Sequence, residues 1–224
     1  MLTATRNLYR NAYNGLSKKT WYLSVVMLIN RSGTMVVPFM TIYATQKLHF
    51  TITQAGFIMA LFGAGAVVGA FIGGRITDKW GFYPLQVAAL FSGGCMFIVV
   101  GYLTSYLSLC IGTFVLSVCN ESFRPANSTA IAFYSSIENR TRSYSLNRLA
   151  INLGWAVGGA LGGFLASVNY DLLFWVDGCT NIAAGFLLLK LLPYVKSGGK
   201  HTQQEHKQIK QSAYKDKLYL SFLF

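Results

Sequence analysis

The chain has 224 residues, of which 53% are apolar and only 12% charged, and its mean hydropathy is +0.42. A soluble domain carries about 25% charged residues, so an ordinary water-soluble globule is excluded and lipid is the expected solvent for most of the chain. Lys and Arg number 19 against 7 Asp and Glu, a net charge of +12, which reads as membrane topology plus a basic tail and not as a nucleic-acid interface.

A helix needs about 20 apolar residues to cross the hydrocarbon core. Residues 1–20 form a basic N-terminal segment, and six stretches then meet the requirement: 21–45, 54–77, 84–104, 106–135, 145–168 and 171–192. Runs such as AGFIMALFGAGAVVGAFIGG do not alternate apolar with polar, as barrel strands do. The predicted fold is therefore all-α, an integral membrane bundle of six transmembrane helices over 21–192. The first apolar run has no small-residue cleavage site in the usual place, so residues 1–20 read as a leader with a retained first span. Residues 193–217 are polar and basic, a linker by composition. The last stretch, 218–224 (LYLSFLF), is too short to cross at about 1.5 Å per residue and reads as the start of a seventh helix. The expectation is the first half of a longer protein whose C-terminal six-helix half is missing.

With the N-terminus in the cytoplasm, 16 of the 19 basic residues fall on the inner side, Lys47 alone on the outer, and Arg31 and Arg124 inside spans. Basic residues stay on the cytoplasmic side, so the chain is expected in the plasma membrane with that orientation. Cys95, Cys110, Cys119 and Cys179 lie in apolar stretches without metal-ligand spacing and read as packing residues. No metal site and no cofactor are expected. There is no GxxxxGK loop, so a proton gradient, and not ATP, is the expected energy source.

The polar residues inside the spans carry the functional expectation. The first span contains NRSGTMVVP, with Asn30 and Arg31, and the fourth contains NESFRPANSTA, with Glu121 and Arg124 one turn apart. A membrane-embedded Arg is a functional-site candidate unless it is simply paired; the alternative here is a structural i, i+3 pair of Glu121 with Arg124. Arg31 and Arg124 sit at similar depth, so two arginines and Glu121 form a charged centre if the first and fourth spans face each other. Asn152, at the start of the fifth span, is a further cavity candidate. The fifth span also carries Gly154, Gly158, Gly159, Gly162 and Gly163, small residues that let helices pack closely. In the sixth span Asp177, Thr180 and Asn181 share a face, for which a structural or interdomain role is favoured. An offset of 90 residues aligns Ala66, Val67, Gly69, Ala70 and Gly73 with Ala156, Val157, Gly159, Ala160 and Gly163, and Arg31 with Glu121. Two three-helix repeats with a site between them are a recurring transporter plan.

The loop after the second span, GGRITDKWGFYP, places Gly74, Asp78, Lys79 and Gly81 in a pattern that resembles the signature of the major facilitator superfamily, although Phe82, Tyr83 and Pro84 stand where a further basic residue is usual. Gly74 is expected to let helices approach, Asp78 and Lys79 to form a rim latch, and Gly81 to turn the chain. Arg124 resembles the family's fourth-helix arginine. The glycine-rich fifth span is similar to the motif of the family's exporters, with Gly159 in the place of its proline. The resemblance implies proton-coupled efflux of a small-molecule substrate by alternating access, with Arg31, Glu121 and Arg124 at the centre. Proton-coupled symport of an anionic metabolite is the alternative transport reading, and a partner-dependent half without transport of its own is another. A membrane enzyme would need clustered His, Asp or Glu, whereas the seven acids are scattered and His49, His201 and His206 fall between spans.

Overall fold

The computed structural model describes residues 13–195. Most of the N-terminal segment, nearly all of the expected linker and the apolar stretch 218–224 lie outside the described residues.

The described residues are helical, without strands. The helices are α1 (Lys18–Ser32), α2 (Val36–Ile42), α3 (Ile52–Trp80), α4 (Phe82–Gly101), α5 (Tyr106–Glu121), α6 (Phe123–Tyr134), α7 (Arg140–Val168) and α8 (Asp171–Leu191). They make six spans of sufficient length and apolarity to cross a membrane. The first, Lys18–Lys47, contains α1, α2 and a π-helical turn at Tyr43–Lys47, and the fourth, Tyr106–Tyr134, contains α5 and α6. The chain is an all-α multi-pass membrane protein.

Local sequence sets the boundaries. Ser17 accepts the Thr20 N–H at the start of α1, and Ser105 does the same for Ser108 at α5. Thr51 and Gln54 form a reciprocal capping box at α3, so that donors left over by the first helical turn are satisfied. Gly81 alone joins α3 to α4 at φ +92°, a conformation that glycine adopts without a Cβ penalty.

The two interruptions have one cause. Pro38 and Pro125 each occupy the third position of a restarted helix, α2 and α6. A proline offers no N–H to the carbonyl four residues back and its ring crowds that carbonyl; here those carbonyls belong to Thr34 and Glu121. Expected as continuous helices, the first and fourth spans are therefore broken at equivalent places, the prolines standing 87 residues apart.

Each tight helix pair takes one member from each three-helix repeat: the first span with the fifth, the second with the fourth, the third with the sixth. Glycines make these approaches possible. A Cβ on Gly65, Gly69 or Gly73 of α3 would stand 2.6 to 2.8 Å from Phe114, Val118 or Ser122, and one on Gly154, Gly158 or Gly162 of α7 would stand 2.6 to 2.9 Å from Arg31, Ser32 or Phe39. The two stripes match at an offset of 89 residues, one less than the offset of 90 taken from the sequence. That single step moves Gly159 and Gly163 off the contact: nothing lies within 4 Å of a Cβ at Gly159, and Gly163 meets only Phe39 at 3.8 Å. With 3.6 residues per turn, only every fourth position stays on one face, so the packing role expected of all five glycines belongs to three.

Candidate functional site

The break in the fourth span places Glu121 at the end of α5 and Arg124 in the first turn of α6. Their side chains meet, Arg124 Nη1 donating to Glu121 Oε2 at 3.2 Å. From the first span, Arg31 Nη1 lies 3.8 Å from Glu121 Oε1. The three charges come together as the sequence suggests, with one carboxylate between two guanidiniums. Arg31 and Glu121 are 7% and 11% exposed at the side chain, Arg124 67%. Arg31 is thus a fixed charge inside the bundle, whereas Arg124 reaches into open space. Glycine places Arg31: Gly154 lies against its Cβ and Gly158 against its carbonyl.

Asn30 and Asn152 are not brought to this cluster. Asn30 is buried on the other side of α1, where its Nδ2 donates to Asn181 Oδ1 at 2.7 Å. One residue along a helix is a turn of about 100°, so Asn30 points to α8 while Arg31 points to α5. Asn152 is exposed on α7; two residues from Gly154, it stands off the face that packs on the first span.

The loop motif is distributed differently from expectation. Gly74 meets nothing within 4 Å, and the close approach is made by Gly73, whose Cβ would fall 2.8 Å from Ser122 Cα. Asp78 and Lys79 are exposed at the end of α3, and among the described residues no ion pair holds either one. Gly81 supplies the turn.

Two polar groupings complete the interior. On α4, α6 and α7, Gln86 Nε2 donates to Asn127 Oδ1 at 3.3 Å and Asn127 Nδ2 donates to Asn147 Oδ1 at 3.2 Å, all three side chains buried. On α8, Asp177 is wholly buried and accepts backbone N–H groups of Met35 and Val36. Gln86 and Asn147 escaped the sequence reading; for Gln86 the available signal was an isolated amide within an otherwise apolar run, which needs a partner in lipid, whereas Asn147 stands among polar and basic residues that hide it.

A sequence model described as Major Facilitator Superfamily matches residues 22–224. The chain is 27% identical over 178 residues to YdeE, an uncharacterized MFS-type transporter of Escherichia coli strain K12, which covers 79% of this chain and 44% of that protein. It is 24% identical over 173 residues to the quinolone resistance protein NorA of Staphylococcus aureus strain N315, covering 76% and 44%. It is 25% identical over 122 residues to the tetracycline resistance protein, class H, of Pasteurella multocida, covering 54% and 30%. The chain spans less than half the length of these curated relatives. With the family match running through all six spans and beyond, the chain belongs to the Major Facilitator Superfamily.

Proposed function

We propose that the full-length protein is a proton-coupled exporter of small molecules that works by alternating access, with its N-terminus in the cytoplasm. The observation that carries this is the placement of Glu121 between Arg31 and Arg124 at the break of the fourth span. Protonating that carboxylate removes the one negative charge between two positive ones. The guanidiniums then repel each other, and Arg124, the exposed one, is the group free to move. A proton is thereby converted into a displacement at the kink made by Pro125.

The second and fifth spans are the least buried of the six, and they expose Val67, Phe71, Leu153, Leu161 and Phe164. Together with the exposed side of Arg124, these faces suit one wall of a cavity and its contact with a second half. Asp78 and Lys79, exposed at the rim, suit a latch whose counter-charges come from elsewhere.

Proteoliposomes holding the full-length protein and a pH-sensitive dye test the reading, with norfloxacin and tetracycline as probes because relatives are named for quinolone and tetracycline resistance. The expected result is proton movement opposite in direction to drug movement, lost in Glu121→Gln. Drug movement with no proton flux rejects the coupling.

One observation favours a second reading: two guanidiniums on one carboxylate leave a net positive centre, which attracts anions. Proton and a monocarboxylate such as lactate moving in the same direction in this assay would select symport.

A further inference from the structure

We propose that Asp177 is a positioning residue, whose carboxylate on α8 holds the restarted helix of the first span and so fixes where Arg31 stands against Glu121. The inference rests on the reading of Arg31 and Glu121 as the working cluster.

The first span leaves helical geometry at residues 33–35 and resumes at α2. Backbone donors exposed at such a restart are costly in lipid unless accepted. Met35, at the N-cap, has no side-chain cap of its own. The acceptor comes from another span: Met35 N–H donates to both Asp177 oxygens at 2.9 and 2.8 Å, and Val36 N–H donates to Oδ2 at 2.7 Å. Acidic groups are favoured at a helix N-terminus by its dipole as well as by these bonds.

Two further contacts bind the same stretch to the same helix. Gly33 lies so close to Thr180 that a Cβ would fall 1.6 Å from Thr180 Oγ1. Asn30 donates to Asn181, whose Nδ2 is itself tied to the Asp177 carbonyl at 2.8 Å. Residues 30–36 are thus held from one side at three points, and Arg31 lies between the first two. Among the described residues, the equivalent restart in the fourth span has no such clamp: Ser122 caps nothing with its side chain, which turns back to the Cys119 carbonyl. A local cap would suffice to begin α2. A carboxylate supplied from α8 does more, because it ties the direction of α2 and the register of Arg31 to a separate helix.

The test uses the full-length protein, with native cysteines replaced and spin labels at Val25 and Ile42, one on each side of the break. Both positions are exposed. Asp177→Asn keeps the shape and removes the charge and one acceptor; the expected result is at least a twofold broadening of the Val25–Ile42 distance distribution. A control pair at Phe57 and Ile72, within the unbroken α3, should not change. An unchanged Val25–Ile42 distribution overturns the proposal.

Hydrogen exchange on the wild-type protein guards against a variant that does not insert. The amides of residues 35 and 36 should exchange as slowly as the interior of α4, and exchange as fast as the connection at 135–139 overturns the clamp. Equilibrium binding of norfloxacin separates positioning from general packing. Asp177→Asn should weaken it at least fivefold in the wild-type background and have no further effect once Arg31 is Lys, whereas equal losses in both backgrounds overturn action through Arg31. If wild type binds no norfloxacin, it is the drug reading that fails, and spin-label distances and exchange decide the role of Asp177.

Discussion

Gly154 lies directly against Arg31: a Cβ at residue 154 would stand 2.6 Å from the Arg31 Cβ and 3.0 Å from the Leu28 carbonyl oxygen. The buried charge of the first span therefore owes its place to a missing methyl group on the fifth. Neither neighbour is the flexible end of a side chain, so neither can yield cheaply.

Gly154→Ala is accordingly expected to destabilise the bundle by about 1–3 kcal/mol, the usual cost of overpacking a filled contact. Gly159→Ala, five residues along, should change stability by less than about 0.5 kcal/mol, because open space surrounds that position. Thermal unfolding of the two variants in one detergent checks the contrast. Equal melting temperatures would remove the close contact.

Glu121→Gln preserves shape but removes the negative charge between Arg31 and Arg124. Membrane insertion should persist, since an amide oxygen at residue 121 can still accept from Arg124. Proton-driven transport should fall at least tenfold. Drug-driven proton flux equal to wild type would take Glu121 out of the coupling.

Asn127 is the middle rung of a ladder from Gln86 to Asn147. In Asn127→Ala, the Gln86 amide and the Asn147 carbonyl both lose a partner, and each buried unsatisfied group costs about 1–3 kcal/mol. The effect of Asn147→Ala should shrink in the Asn127→Ala background, since the bond it breaks is already gone. A double-mutant cycle by chemical unfolding reads the difference, and strict additivity would mean that the ladder carries no coupling.

Lys47 and Asp171 pair at the far end of the first and sixth spans, both partly exposed. Exposed pairs contribute at most about 1 kcal/mol, so Lys47→Gln should leave the melting temperature within about 4 °C of wild type. A larger loss would show that this rim contact is structural.

The sequence makes the outline of the molecule readable because lipid imposes long apolar runs, and the expected spans agree with the helices within a few residues. The meeting of Arg31, Glu121 and Arg124 was also legible: charges at equal depth in lipid have few options besides each other. What escaped is a matter of rotation about helix axes. Hydropathy fixes how deep Asn30 lies but not which neighbour it faces, and a turn of 100° sends it to Asn181. Likewise five glycines in the fifth span look alike in sequence, and packing uses only the three on one face. The breaks at Pro38 and Pro125 escaped as well, because each span as a whole remains long and apolar enough to read as one helix.

The exchange of partners between repeats has a consequence for how the protein is made. The first three spans do not pack tightly as a unit; α3 waits for α5 and α1 for α7. Synthesis proceeds at about 5–20 residues per second, so α3, complete at Trp80, spends roughly 2–8 s in the bilayer before Glu121 and the end of its partner emerge. For that interval the glycine stripe Gly65, Gly69 and Gly73 is bare backbone facing lipid or the insertion machinery. A ribosome stalled within α4 would leave the stripe open to any helix with a matching groove, and early quality control has this exposed stripe to act upon.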